Sequence, residues 1–196
     1  MRVEQIRQFL RERGAKPCHE ARVLRAWSRG TSLDTRHRRA EDFLPLRMRT
    51  GLETLFGELE GLTRLAGQFP GADASVRLLV ALADGQTVES VLLPRDGLCV
   101  STQVGCAVGC VFCMTGRGGL LRQLGSAEIV AQVVLARRLR PLRRVVFMGM
   151  GEPAHNLDNV LEAIELLGLE GALATRIWFF PASATRAFSN VCPGDR

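Results

Sequence analysis

Residues 98–113 read LCVSTQVGCAVGCVFC, an apolar segment that leads into three closely spaced cysteines. Cys106, Cys110 and Cys113 follow a C-x3-C-x2-C spacing, so a single loop can present three thiolates to one metal centre. Structural zinc prefers four protein ligands, often as two C-x2-C pairs. Three ligands at unequal spacing instead suit an iron–sulfur cube that keeps one iron open. The alternative interpretation is a zinc site in which Cys99 supplies the fourth ligand.

The segments around the cysteines predict strands that alternate with helices. Apolar patterning predicts strands at Leu98–Gln103 and Val145–Met148 and helices at Ser126–Leu139 and Asn156–Leu167. Such alternation implies βα units and a parallel sheet. Ser126 and Asn156 are the predicted N-caps of the two helices, because their side chains can accept hydrogen bonds from free N–H groups.

A second motif, GMGEP, occupies residues 149–153 and follows the predicted strand at Val145–Met148. A glycine-flanked turn at the carboxyl end of a parallel strand lets the backbone approach a ligand. Glu152 can then accept hydrogen bonds from an ammonium group on that ligand. The position of this motif, one βα unit after the cysteine loop, makes the pair of motifs specific.

The region before the cysteines has a different pattern. Helical spacing of apolar residues predicts three packed helices, at Val3–Leu10, Glu20–Trp27 and Leu52–Leu65. Two strand-like runs, Val76–Ala83 and Thr87–Leu93, flank the turn dipeptide Asp84–Gly85 and predict a β-hairpin. We therefore divide the chain into a helical domain (residues 1–70), a hairpin connector (71–97) and a βα region (98–176).

Composition and charge narrow the classes of protein and partner. The chain has 196 residues, six cysteines and a net charge of +6, which is compatible with a phosphate-bearing partner such as RNA. Its longest apolar runs fall short of the roughly 20 residues that a membrane-spanning helix needs. No secretory pattern opens the chain, so the cysteines predict metal or redox chemistry in the cytoplasm.

Four segments closely resemble the RlmN/Cfr family of radical S-adenosylmethionine (SAM) RNA methyltransferases. They are VESVLLP at 88–94, LCVSTQVGCAVGCVFCMTG at 98–116, SAEIVAQV at 126–133 and VVFMGMGEPAHNLDNVLEAI at 145–164. The resemblance implies an α/β fold: a truncated, partial (β/α) radical-SAM barrel, preceded by a small RNA-facing helical domain and a β-hairpin. It also implies a [4Fe-4S] cluster on Cys106, Cys110 and Cys113, with SAM held near Phe112, Gly151 and Glu152.

The resemblance further implies methylation of adenosine, at C2 or C8, in 23S rRNA and in some cases at C2 in tRNA. In the family a cysteine near the C-terminus carries the methyl group to the base. By motif, Glu89 is the implied proton acceptor and Cys99 the implied resolving cysteine, with a disulfide bond. The implied setting is a cytoplasmic monomer, without a membrane, that takes electrons from a donor such as a flavodoxin.

The chain departs from the family after Arg176. Residues 177–196 do not resemble it, and Cys192, in the segment VCPGDR, does not match the methyl-carrying cysteine. Back-translation in another reading frame can restore a family-like segment, so we hypothesise a frameshift near Arg176, which the coding DNA would test. On this hypothesis the chain is an inactive fragment. The alternatives are a relative with another RNA target and a non-catalytic RNA-binding remnant.

Overall fold

The computed structural model describes residues 1–34, 39–169, 171 and 173–177. Of the predicted tail at residues 177–196, only Ile177 is among them; Cys192 and the rest of the tail lie outside. The helices are α1 (Val3–Glu12), α2 (Pro17–Arg29), α3 (Leu46–Gly61), α4 (Ser126–Arg137) and α5 (Leu157–Leu169). The strands are β1 (Thr63–Pro70), β2 (Val76–Leu82), β3 (Thr87–Leu93), β4 (Gly97–Cys99), β5 (Gln103–Gly105), β6 (Leu120–Gln123), β7 (Arg144–Phe147) and β8 (Ala174–Ile177).

Six strands form one mixed sheet in the order β1-β2-β3-β4-β7-β8. The first four pair antiparallel, whereas β4, β7 and β8 are parallel. α4 connects β4 to β7 and α5 connects β7 to β8, so two βα crossovers build the parallel part. This arrangement confirms the predicted α/β fold with a partial βα barrel, and it confirms the hairpin between β2 and β3.

The third predicted helix, at Leu52–Leu65, was wrong in its last turn. α3 ends at Gly61, and the chain continues as edge strand β1, in which Leu65 lies opposite Val80. Leucines spaced three residues apart fit a helix, but they do not reveal that β2 offers an unpaired neighbour. The hydrogen bonds gained by pairing with β2 favour a strand over a helix at Leu65. Local propensity is weak and is overridden by such tertiary contacts.

One continuous apolar core joins the helical region to the sheet. Its largest fully buried side chains come from α1, α2, α3, α4 and the sheet strands β2, β4 and β7: Ile6, Leu10, Leu24, Met48, Leu55, Leu59, Leu78, Leu98, Ile129 and Phe147 among them. α4 contributes residues on all sides because it is packed between the sheet and the N-terminal helices. Through this core the N-terminal helices pack against the βα region.

The prediction that Ser126 is the N-cap of its own helix was wrong, because Gly125 occupies the N-cap position of α4. Its hydroxyl instead accepts a hydrogen bond from the Val3 N–H, at 2.8 Å. The Glu162 carboxylate accepts one from the Glu4 N–H, at 2.7 Å. These oxygens satisfy two of the free N–H groups that begin α1, and an acidic group there is favoured by the helix dipole. The N-terminal helix is therefore docked onto α4 and α5.

Within the described residues, none of the helices is both long enough and apolar enough to cross a membrane.

Candidate functional site

The two sequence motifs follow parallel strands whose carboxyl ends lie at the same edge of the sheet. β4 is followed by the short strand β5 and then by the cysteine loop, which we define as residues 106–119, and β7 leads into the GMGEP turn at residues 149–153. Beyond the strand ends the two segments stay paired, since the Gly149 N–H donates to the Val100 carbonyl at 3.0 Å. Ligands in open α/β sheets bind outside the carboxyl ends of the strands. This edge is therefore the candidate site.

A short hairpin, absent from the sequence prediction, closes the base of the cysteine loop. β5 and β6 pair antiparallel there, and the Cys106 N–H donates to the Gly119 carbonyl at 3.0 Å. Gly105 has φ +76°, and a Cβ at this position would collide with the Gly119 carbonyl oxygen. Only glycine permits this approach, so the hairpin holds the two ends of the loop together.

The three predicted cluster ligands are all free, partly exposed thiols on this loop. A hydrogen bond from the Thr115 side chain lowers the pKa of Cys113, against an opposing effect of burial. Across the part of the chain that the structure describes, no three His, Cys, Asp or Glu side chains are gathered closely enough to hold a metal ion. The donor chemistry of Cys106, Cys110 and Cys113 fits an iron–sulfur cluster, and binding one requires their side chains to converge.

Phe112 lies near the middle of the cysteine loop and is exposed. Its side chain is 80% exposed and that of the adjacent Val111 is 99% exposed. The structure therefore does not bring Phe112 against the GMGEP turn. Large exposed apolar side chains are typical of surfaces that meet a ligand or partner.

The GMGEP turn is shaped by glycine and by contacts with residues 100–103. Gly151 has φ +98°, a conformation that favours glycine. One Glu152 carboxylate oxygen accepts from the Ala154 N–H at 3.1 Å and caps a short 3-10 helix at Pro153–Asn156. Glu152 is half-buried, so its carboxylate can be oriented by the protein and still reach a ligand.

A glutamine pair, Gln103 and Gln123, links the hairpin to the GMGEP turn. The Gln103 amide oxygen accepts from the Glu152 N–H at 2.7 Å, and its NH2 group donates to the Gln123 amide oxygen at 2.9 Å. The Gln123 NH2 group donates in turn to the His155 carbonyl at 2.9 Å. The sequence prediction missed both residues. Their alignment as cross-strand partners becomes visible only once β5 and β6 are paired.

Ser101 and Gln132 form a second, buried link behind the site. The Ser101 hydroxyl accepts from the Met150 N–H at 2.8 Å and donates to the Glu89 carbonyl. The Gln132 side chain, from α4, bonds both the N–H and the carbonyl of Ser101, each at 3.0 Å. These bonds satisfy buried polar groups that would otherwise cost free energy, so they hold β3, the GMGEP turn and α4 together.

Asn156 is not the helix N-cap predicted from the sequence. It is buried, and its NH2 group donates to the carbonyls of Thr102 and Leu124, at 2.8 and 2.7 Å. Its oxygen accepts from the Asn159 NH2 group at 2.8 Å. Thr102 precedes β5 and Leu124 follows β6, so Asn156 joins the two chain segments that flank the hairpin.

Glu89 and Cys99 lie on the same face of the sheet, opposite the face that packs on α4. Val91 pairs with Cys99 across β3 and β4, and Glu89 precedes Val91 by two residues. Side chains two residues apart share a face of a strand. The Glu89 carboxylate forms an ion pair with Arg77 at 3.0 Å; both side chains are about half exposed, and such a pair contributes little stability.

Burial favours the protonated form of the Cys99 thiol. Its side chain is 8% exposed, and desolvation raises its pKa to about 11, partly offset by a hydrogen bond with the Met148 backbone. The implied disulfide is not present in the described part of the chain: Cys18, Cys99, Cys106, Cys110 and Cys113 are all free.

We expect Cys99 in the folded protein to react with iodoacetamide at least a hundredfold more slowly than the exposed Cys18 at pH 8. The thiolate is the nucleophile, and a pKa near 11 leaves about one thiol in a thousand deprotonated at that pH. Alkylation of each cysteine is measured by peptide mass spectrometry, with a denatured sample as control, in which the two rates should converge. Equal rates in the folded protein would contradict the burial of Cys99.

Three comparisons with known proteins agree with this geometry. Residues 100–186 match the model of the radical SAM superfamily. The chain is also similar to a crystal structure of a radical SAM methyltransferase from Sphaerobacter thermophilus, with a TM-score of 0.67 and 30% identity. That match covers 90% of this chain and 55% of the other.

Among curated proteins, the chain is 69% identical over 186 residues to a probable RNA methyltransferase of Thiobacillus denitrificans. It is 72% identical over 173 residues to a probable RNA methyltransferase of an Azoarcus species. These matches cover 95% and 88% of this chain, but 51% and 50% of the relatives. The chain thus spans about half the length of the curated relatives it matches.

Proposed function

We propose that this chain is part of an enzyme that methylates adenosine at C2 in 23S rRNA, with tRNA as a second candidate substrate. Residues 100–186 match the model of the radical SAM superfamily, and the curated relatives are named probable RNA methyltransferases. The observation that carries the proposal is the link at one sheet edge between the hairpin at the base of the cysteine loop and the GMGEP turn. Gln103 and Gln123 form this link by hydrogen bonds to Glu152 and His155.

In this proposal Cys106, Cys110 and Cys113 hold a [4Fe-4S] cluster, and Glu152 accepts hydrogen bonds from the ammonium group of SAM. When bound, the cluster and SAM supply a 5′-deoxyadenosyl radical. Gly151 lets the backbone approach the cofactor, and Phe112, which is exposed on the cysteine loop, supplies an aromatic contact to it. Three half-buried thiols on one loop, and a half-buried carboxylate on the turn to which the base of that loop is hydrogen-bonded, support this assignment.

Glu89 and Cys99 act on the RNA. The Glu89 carboxylate accepts the C2 proton of the methylated adenine ring, and Cys99 resolves the bond between the methyl-carrying cysteine and the base. Because Glu89 and Cys99 lie on the same face of the sheet, both can act on the same RNA base. Because burial keeps the Cys99 thiol protonated, that thiol has to lose its proton within the site before it can act. The exposed ion pair with Arg77 can open to release the carboxylate for RNA.

The remaining partners follow from this chemistry. RNA is the substrate, and the net charge of +6 favours its phosphates. A flavodoxin-like donor supplies the electrons, and the enzyme works as a cytoplasmic monomer.

The decisive experiment measures methyladenosine by mass spectrometry after reaction with protein-free ribosomal RNA. Because the relatives are about twice as long, the 196-residue chain and a chain extended to their length are assayed together. We expect 2-methyladenosine from the extended chain and none from the short one. SAM cleavage without methyladenosine from the extended chain would contradict the proposed function. Salt-dependent RNA binding without SAM cleavage would favour an RNA-binding remnant.

In the extended chain, Glu89→Gln is expected to lower methyl transfer by roughly 10²- to 10⁴-fold, the usual contribution of a general base. SAM cleavage in the absence of RNA should stay unchanged, since Glu89 lies on the sheet face and not on the cysteine loop. Arg77→Gln is the matched control: it removes the ion-pair partner at 3.0 Å but leaves the carboxylate in place. Full methyl transfer by Glu89→Gln would remove Glu89 from the mechanism.

A further inference from the structure

The glutamine pair has only one hydrogen-bond orientation that satisfies all its partners. The Glu152 N–H is a donor, so it must face the Gln103 amide oxygen, as it does at 2.7 Å. The His155 carbonyl is an acceptor, so it must face the Gln123 NH2 group, at 2.9 Å. Between them, the Gln103 NH2 group meets the Gln123 oxygen. Reversing either amide would place two donors or two acceptors against each other.

Close packing also holds the Gln103 side chain of this pair in place. Gln103 is fully buried, and a Cβ on Gly151 would lie 2.5 Å from the Gln103 Cβ. The Gln103 side chain thus occupies the space that a side chain at residue 151 would need. The Gln103 N–H also donates to the Met150 carbonyl, at 3.2 Å. The GMGEP turn therefore cannot move relative to β5 without breaking several contacts.

We propose that Gln103 and Gln123 are positioning residues that set the spacing between the cysteine loop and the carboxylate of Glu152. This inference rests on the proposed function, in which the loop holds the cluster and Glu152 binds SAM. Gln103 and Gln123 lie on the two strands that carry the ends of the loop, and they bond to Glu152 in the turn and to His155 just after it. They therefore govern SAM affinity, whereas cluster assembly depends on the thiols.

The test uses the Gln103→Glu variant of the extended chain after anaerobic reconstitution of the cluster. The introduced carboxylate can still accept from the Glu152 N–H but can no longer donate to Gln123. We expect unchanged iron content and a roughly 10- to 100-fold weaker equilibrium affinity for SAM, the usual effect of losing an outer support of a site. The change that SAM causes in the electron paramagnetic resonance spectrum of the reduced cluster should require correspondingly more SAM. Gln123→Glu should show a smaller loss, because its missing bond is one step farther from Glu152.

Thr63→Val is the matched control. It removes a buried hydrogen bond, from the Thr63 hydroxyl to the Ala131 carbonyl at 3.3 Å, on the edge strand β1. We expect it to lower the melting temperature without changing SAM affinity. Backbone hydrogen exchange at Glu152 gives a readout without cofactor: exchange should accelerate in Gln103→Leu, which cannot accept from the Glu152 N–H, and not in Thr63→Val.

Three outcomes would overturn the inference. Equal SAM affinity in Gln103→Glu and Thr63→Val, with wild-type protein binding SAM normally, would leave the pair a merely structural role and leave the proposed function intact. Loss of iron in Gln103→Glu would assign the pair to loop assembly instead. Wild-type protein that assembles a cluster but shows no spectral response to SAM would contradict the proposed function, and with it the inference.

Discussion

Replacing Cys106, Cys110 or Cys113 with alanine is expected to abolish reductive cleavage of SAM. Each change removes one of the three proposed thiolate ligands, and a cluster with an open iron has no spare protein ligand to replace it. The measurements are iron and sulfide content, charge-transfer absorption and formation of 5′-deoxyadenosine after anaerobic reconstitution. Each variant should fall to the background of protein without reductant.

Cys18→Ala is the control for this experiment, since Cys18 is exposed on α2, outside the site. Cys99→Ala distinguishes the cluster from the alternative zinc site. A four-ligand zinc site that includes Cys99 would lose its metal in this variant, whereas a three-ligand cluster would keep its iron. Cleavage that survives alanine at any of the three loop positions would refute the ligand assignment.

The second large effect is expected from Asn156→Asp, which should lower the free energy of unfolding by about 3 kcal/mol at pH 7. The Asn156 NH2 group donates to the Thr102 and Leu124 carbonyls, and an ionised carboxylate would present an oxygen to both. At 2–4 °C per kcal/mol for a chain of this size, the melting temperature should fall by about 6–12 °C. Thermal unfolding followed by circular dichroism measures the shift.

The loss of unfolding free energy in Asn156→Asp, relative to the wild-type protein, should depend on pH. Burial beside two carbonyl oxygens raises the pKa of the introduced carboxyl group, because its protonated form can donate a hydrogen bond and its charged form cannot. A raised pKa in the folded state means that stability is retained below the unfolded value of roughly 4 and lost as pH rises. We therefore expect a smaller deficit at pH 4.5 than at pH 8. Asp158→Asn, at an exposed neighbouring position, should change stability by less than about 0.5 kcal/mol at either pH.

The sequence by itself determined the features that depend only on residues close together along the chain. The cysteine spacing and the GMGEP motif depend on neighbours along the chain, and helical and strand periodicity correctly predicted α4, β7 and α5. The order of these elements implied the parallel βα units because crossover connections follow few rules. Local chemistry also predicted that Glu152 follows a strand at a glycine-rich turn.

Only the tertiary structure decided the features that depend on distant partners. Leu65 belongs to a strand because β2 lies beside it, and Ser126 and Asn156 serve other segments than their own helices. Gln103 reaches Glu152 across 49 residues, and Asn156 reaches Thr102 across 54. Periodicity tells which face of an element is apolar, but a hydrogen bond between buried polar side chains depends on which segments the fold brings together. For that reason the motifs could be found by inspection of the sequence, while the residues that hold them in place could not.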